Sequence, residues 1–380
     1  MDLKNKTVIV GMSGGVDSSV AALLLKEQGY NVIGMFMRNW VEEDDAGACT
    51  AEQDYHDVVA VCDKLEIPYY TVDFAKEYWE NVFSNFLEEY KKGFTPNPDV
   101  LCNSEIKFKI FFEKAMELGA DFLATGHYCR VMNSDKQYLL GKGVDQGKDQ
   151  SYFLHAIDAN VLDRVLFPVG ELQKSKVREL AQKNDLSTKA KKDSTGICFI
   201  GERKFREFLA NYVQSKPGNI ETLDGKVIGK HQGVAFYTLG QRKGLGIGGL
   251  ADVGGEGPWF VVGKDIKRNV LLAGRGVKHP ALYCDYLKAS QLNWINVDVM
   301  DRLPLKCKAR VRYRQSDQVC QIIKEADDIK VVFDIPQRAV TPGQAVVFYD
   351  GDICLGGGVI TEHGPTYFEQ QKKLPDIVSG

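Results

Sequence analysis

No two of the nine cysteines, at positions 49, 62, 102, 129, 198, 284, 307, 320 and 354, stand at the spacing of zinc ribbons, thioredoxin-like sites or most iron-sulfur motifs. A structural metal cluster is therefore not expected, and unpaired thiols suit a reducing compartment. No apolar run approaches the roughly 20 residues that cross a bilayer. The first strand-like run, Thr7 to Val10, begins too early for a leader peptide, so a cytoplasmic protein without a membrane partner is expected. An excess of one charge is also missing: 48 Lys and Arg against 51 Asp and Glu leave a net −3, so any nucleic-acid site must be a local patch. There is no internal repeat and no low-complexity tract. With 44% hydrophobic and 26% charged residues, 12 prolines and 37 glycines, the composition excludes a disordered or collagen-like chain. What remains is a globular chain whose 380 residues suffice for two or three domains.

Up to about residue 170 short apolar runs alternate with helix-length amphipathic stretches, the pattern of a parallel sheet covered by helices. Strands are expected at Thr7 to Gly11, Asn31 to Met37, Pro68 to Val72 and Phe122 to Thr125. Helices are expected at Val16 to Gln28, Ala51 to Leu65 and Ser175 to Asn184, with a longer helical stretch from Lys76 to Leu118 broken at Thr95-Pro96-Asn97-Pro98. After about residue 205, Gly-rich turns and short runs (Gly233 to Leu239, Trp259 to Gly263, Val270 to Ala273) suggest a small, mostly β module. Beyond about residue 280, closely spaced runs at Lys306 to Tyr313, Val319 to Ile323, Lys330 to Phe333, Ala345 to Tyr349 and Ile353 to Ile360 suggest an antiparallel barrel or sandwich. The expected fold is an α/β Rossmann-like domain (1–205), a central mostly-β domain (206–280) and a C-terminal antiparallel β-barrel-like domain (281–380).

The strongest local signal is Ser13-Gly14-Gly15-Val16-Asp17-Ser18-Ser19, between the first strand and the first helix. Its glycines let the backbone approach an anion, and the free amides of a helix start point at that anion with the dipole behind them. It is not a Walker A loop, because no lysine follows to hold the β and γ phosphates. The segment resembles the pyrophosphate-binding loop of the ATP pyrophosphatases, an adenine nucleotide alpha hydrolase type of domain. That resemblance implies ATP contacts from Gly11, Met12, Ser13, Gly14, Gly15, Val16, Asp17 and Ser18, with Asp17 placing Mg2+. Met37, at the end of the second strand, lies where such a sheet receives adenosine, although a strand methionine more often packs a core.

Cys102 follows the Asn97-Pro98 break, and Cys198 lies between Gly196 and Gly201 near lysines that would lower a thiol pKa. Both are expected on connecting segments, where chemistry concentrates, whereas Cys62, Cys307 and Cys320 sit in periodic segments as small hydrophobes.

Taken together, Ser13 to Ser18, Asn97-Pro98-Asp99 with Cys102, Gly126-His127-Tyr128, Lys148-Asp149-Gln150-Ser151-Tyr152 and Asp193-Ser194-Thr195-Gly196-Ile197-Cys198-Phe199-Ile200-Gly201 resemble the bacterial tRNA-specific 2-thiouridylase family, in order and along essentially the whole chain. The resemblance implies a tRNA-uridine 2-sulfurtransferase that adenylates uracil O2 of the wobble uridine, a poor leaving group until it is activated. It makes Cys198 the persulfide carrier, Cys102 the nucleophile that resolves the sulfur bridge through a transient Cys102–Cys198 disulfide, and Asp99 the acid or base. Gly126 joins the ATP contacts. A sulfur-donor protein carrying a persulfide and a cellular thiol reductant are the implied partners, beside the tRNA anticodon stem-loop.

A base stacked in an anticodon loop must be turned out, so a base pocket and a phosphate cradle are needed. Asn97, Pro98 and Asp99 would line the pocket, with His127, Lys148, Asp149 and Gln150 touching the loop. Residues 142 to 206 carry 13 Lys and Arg against 9 Asp and Glu, a modest basic patch. Arg310, Arg312 and Arg314 would share one face if the strand runs through them, and a solvated strand face explains that pattern equally. The resemblance implies tRNA contacts at Arg312, Tyr313 and Gln344.

Three other readings stay open. One is an ATP pyrophosphatase that adenylates a small molecule, another is an RNA-binding protein switched by nucleotide, and the third is a variant with an iron-sulfur cluster on Cys102, Cys198 and a third ligand. The first has no use for two loop cysteines, and the third lacks a local cysteine triplet.

Overall fold

The computed structural model describes residues 3–40, 50–134, 137–193, 208–209, 211–213, 216–248 and 256–376. Five strands, β1 (Thr7–Met12), β2 (Asn31–Arg38), β3 (Tyr69–Asp73), β4 (Phe122–Ala124) and β7 (Val165–Leu166), form a wholly parallel sheet in the order β3-β2-β1-β4-β7. Val8, Ile9 and Val10 are fully buried. A continuous apolar run is what a central strand covered on both faces requires. One cover is the helix Val16–Glu27, which buries Val20, Ala21, Ala22, Leu23 and Leu25. The α/β Rossmann-like expectation is met.

The helical stretch after β3 breaks at the expected prolines. It resumes at Pro98 because the Asn97 side chain accepts the Asp99 amide at 3.2 Å, a capping bond, with proline in the first turn where its missing N–H costs nothing. From Cys102 to Ile110 the coil widens to a π-helix and kinks at Phe108 (φ −100°, ψ 16°).

The central β sheet orders as β10 (Trp259–Asp265), β11 (Val270–Arg275), β8 (Gly218–Glu221) and β9 (Val227–His231). The strand expected at Gly233 to Leu239 is instead a short 3-10 turn, Val234–Phe236. Phe236 and Tyr237 are both buried, so the run has no two-residue alternation to lay on a sheet.

Six antiparallel strands close the C-terminal barrel: β12 (Tyr283–Trp294), β15 (Asp328–Arg338), β14 (Gln318–Glu325), β13 (Leu305–Arg310), β16 (Ala345–Asp350) and β17 (Ile353–His363), with β12 pairing back to β17. The hairpin β5 (Cys129–Ser134) and β6 (Gln137–Lys142) belongs by sequence to the first domain, yet it extends the barrel sheet through Ile353↔Gly141 and Cys354↔Leu140. The two domains thus share a sheet.

A buried ion cluster lies across that seam. Arg310 donates to Asp149 (2.8 Å) and Asp317 (2.7 Å), and Lys142 donates to Asp317 (2.6 Å). Both cations also lie over the Tyr349 ring, at 4.8 and 4.3 Å. Among the described residues no helix is long and apolar enough to cross a membrane.

Candidate active site

The phosphate loop lies where β1 passes into the helix Val16–Glu27, at the carboxyl edge of the sheet where open α/β folds receive ligands. Ser18 Oγ accepts the Ser13 amide at 3.2 Å and donates to the Gly15 carbonyl at 3.1 Å, so the side chains tie the loop into a closed turn. Ser13 Oγ lies 3.2 Å from Ser18 Oγ, and Ser19 Oγ donates to the Gly15 carbonyl at 2.8 Å. Gly14 has φ +70°, and a Cβ there would lie 2.6 Å from the Asp54 carbonyl oxygen. Gly126 follows β4, and a Cβ on it would lie 2.7 Å from the Ser18 amide nitrogen and 2.8 Å from the Asp17 carbonyl carbon. The loop and Gly126 therefore touch through bare backbone. Met12 and Val16 are buried in the core that holds Val8 and Val10, and Met37 packs half-buried against the separate core that holds Ile9 and Met35.

Asp17 is engaged on both oxygens. Tyr128 donates its hydroxyl to Oδ1 at 2.8 Å, and the Lys174 ammonium contacts Oδ1 and Oδ2 at 2.7 and 2.8 Å. Lys174 also reaches Asp193 Oδ1 at 2.8 Å, and Asp193 takes two more cations, Lys148 and Arg178, each at 2.6 Å. Burial alone would raise the Asp193 carboxyl, but the hydrogen bonds from Lys148 and Lys174 and the Lys174 charge outweigh it, holding it well below the usual carboxylate range. Burial, with Asp17 beside it, pushes the Tyr128 hydroxyl far up, so Tyr128 acts as a neutral donor.

Sequence reasoning named neither Lys174 nor Arg178. The available signal was indirect: a phosphate loop without its own lysine needs a cation from elsewhere, and Lys174 opens the helix Lys174–Lys183 at an end where the dipole disfavours positive charge.

Cys102 was expected on a loop, and the structure corrects this. It is the first residue of the π-helical segment, immediately after Pro98–Leu101, and is 1% exposed. The capped start at Asn97 lets the chain re-enter a helix within one residue of the proline. Asn103 donates to the Phe153 carbonyl at 3.2 Å, and its Oδ1 is buried with no hydrogen-bond partner among the described residues. His127 joins this helix to the phosphate loop: it follows Gly126, and its ring lies 5.7 Å from that of Phe108 at the kink. Its Nδ1 is 2.7 Å from Thr125 Oγ1. Burial, then the Lys107 charge, holds the imidazole neutral with a pKa well below the ordinary value.

The remaining candidates converge from distant parts of the chain. Gln150 accepts the Tyr128 amide at 2.9 Å and returns its own amide to the Tyr128 carbonyl at 3.0 Å, fixing it beside His127. Asp149 points away from solvent, accepting from Gly143, Ser151 and Arg310. Tyr313 packs its ring 4.4 Å from Phe153, and Gln344 donates to the Thr95 carbonyl at the entrance to the Asn97-Pro98-Asp99 turn. Arg312 donates to the Leu239 and Ala339 carbonyls at 2.6 and 3.0 Å. The shared arginine face does not form, because β13 ends at Arg310 and residues 311–314 turn. Arg310 enters the buried seam, while Arg314 is exposed. Cys198, with 194–201 around it, lies outside the described residues, and so does the expected Cys102–Cys198 pairing.

A parallel sheet with a glycine phosphate loop at its carboxyl edge, followed by two β domains, places the chain among the HUP-domain proteins. Residues 6–202 match the family described as tRNA methyl transferase HUP domain, 206–275 the tRNA methyl transferase PRC-barrel domain, and 284–360 the aminomethyltransferase beta-barrel domain. The chain is 59% identical to the tRNA-specific 2-thiouridylase MnmA of Protochlamydia amoebophila over 98% of both chains. It is 58% identical to that of Stutzerimonas stutzeri over 95% of this chain and 96% of the relative, and 58% identical to that of Halalkalibacterium halodurans over 93% and 94%. The chain belongs to the tRNA-specific 2-thiouridylase family.

Proposed function

We propose that this protein uses ATP to replace O2 of the wobble uridine of tRNA with sulfur. The observation that carries the reading is the contact path from the phosphate loop through Gly126 and His127 to the helix that holds Cys102, in a chain whose relatives are named tRNA-specific 2-thiouridylase.

The loop amides and the helix start bind the phosphates of ATP, and uracil O2 attacks the α phosphorus with loss of pyrophosphate. Asp99 takes the N3 proton as O2 becomes an adenylate ester. The terminal sulfur of a Cys198 persulfide, delivered by a donor protein, adds to C2. Cys102 then attacks the Cys198 sulfur, breaking the S–S bond and leaving sulfur on C2 as AMP departs. The resulting Cys102–Cys198 disulfide is reduced by a cellular thiol. Magnesium is commonly held by one or two carboxylates together with substrate phosphates, and Asp17 at the loop fits that need; bound there, it would neutralise phosphate charge. Asn97, Pro98 and Asp99 receive the flipped base. His127, Lys148, Gln150, Arg312, Tyr313 and Gln344 surround the stem-loop, and Asp149 holds its neighbours in place from the seam.

The test is pyrophosphate release from ATP with and without added tRNA. Release that requires tRNA is expected; release supported by free nucleotides or amino acids contradicts the reading.

A further inference from the structure

We propose that Lys174 is the polyphosphate-binding cation of this site, and that Asp193 competes with the ATP phosphates for it. The inference rests on the ATP reading above.

The phosphate loop contains no lysine, so its only side-chain charge is the negative Asp17. A triphosphate carries several negative charges, and an anion site whose nearest formal charge is a carboxylate needs a compensating cation. Lys174 is placed to supply it. Its ammonium touches both oxygens of Asp17, the second residue of the helix that the loop opens. Its side chain is 12% exposed, and its backbone amide is fixed by Asp145 Oδ2 at 2.9 Å, so the stem is held while the tip faces the loop. The position is unfavourable for a cation taken alone, at the first residue of a helix. Such placement has a reason when the charge is needed at the site.

Asp193 gives the arrangement its second half. It binds Lys148 and Arg178 as well as Lys174, so it keeps two cations if the third is drawn away. The five side chains linked by these ion pairs comprise three cations and two carboxylates, and of the cations Lys174 touches the loop. A phosphate oxygen arriving at the loop offers Lys174 a stronger charge-assisted partner than a carboxylate already satisfied twice.

A plain strut is the competing account, in which Lys174 only neutralises Asp17 and Asp193. The two accounts separate because a strut fails when either end is removed, whereas a competed ligand improves when its competitor is removed.

The experiment measures equilibrium binding of ATP and of AMP, with magnesium, to the full-length wild type and to Lys174→Met, Lys174→Arg and Asp193→Asn, each checked for wild-type melting. Lys174→Met is expected to weaken ATP by about 10- to 100-fold and AMP by less than about twofold, since AMP lacks the β and γ phosphates. Lys174→Arg recovers part of the preference for ATP over AMP, and Asp193→Asn tightens ATP binding. Equal loss of ATP and AMP in Lys174→Met, or unchanged or weakened ATP binding in Asp193→Asn, overturns the proposal. A wild type that binds neither nucleotide removes the ATP reading itself, a result distinct from either.

Discussion

Arg310 on β13 donates from Nη1 to Oδ2 of Asp149 at 2.8 Å, and the two side chains are 8% and 0% exposed. This pair joins the barrel to the segment that carries Lys148 and Gln150. A buried ion pair adds little net stability over a well-packed apolar one, but removing a single partner strands a charge in a medium that cannot solvate it.

Arg310→Met, which leaves Asp149 without its cation, is therefore expected to cost about 3–5 kcal/mol in urea unfolding, and Asp149→Ala less, since Arg310 keeps Asp317. The double substitution should cost less than the sum of the two, because Asp149→Ala removes the carboxylate that Arg310→Met leaves unpaired. Additive losses in that cycle would show the pair uncoupled.

Gly126 tests the close approach at the phosphate loop. With a Cβ 2.7 Å from the Ser18 amide nitrogen, Gly126→Ala must push the start of the helix Val16–Glu27 away from β4, and both neighbours are backbone that cannot rotate aside. ATP affinity should fall by at least about tenfold, while far-ultraviolet circular dichroism stays that of wild type. Unchanged ATP binding would mean the loop tolerates displacement.

His155 supplies a pH dependence. Burial lowers its pKa to about 4, against a hydrogen bond to the Tyr152 carbonyl that pulls the other way, and its ring lies against Gly357 of the barrel. The unfolded chain binds the proton near the ordinary value of 6.5, so between pH 6.5 and about 4 the unfolded state holds more protons than the folded one. Stability from this group is complete above pH 6.5 and falls as the pH drops through that window, by about 3 kcal/mol in all. His155→Gln should flatten the slope of urea midpoint against pH there; an unchanged slope assigns the dependence to other groups.

The parts that were legible in the sequence are those that local physics decides. The β1 run, its glycine loop and the following helix are contiguous, and each states its own conformation through burial, turn chemistry and capping. The break at Asn97-Pro98 was legible for the same reason, but its outcome was not: the capping bond to the Asp99 amide restores a helix at once, so Cys102 is buried on it rather than carried by a loop. The hairpin Cys129 to Lys142 pairs locally, but its docking on the barrel is not legible in the sequence, because the strand it joins, β17, lies more than two hundred residues later. Lys174 is 157 positions from Asp17, and only the fold brings them together. The arginine alternation from 310 to 314 misled because strand periodicity holds only while the strand lasts, and β13 stops at its first member.

The central claim is tested most directly by mass analysis of the wobble uridine in tRNA from cells lacking the gene, complemented with wild type, Cys102→Ser or Cys198→Ser. The account predicts that 2-thiouridine disappears in the deletion, returns with wild type and fails to return with either serine variant. Unchanged 2-thiouridine in the deletion, or its full return with Cys198→Ser, would contradict it.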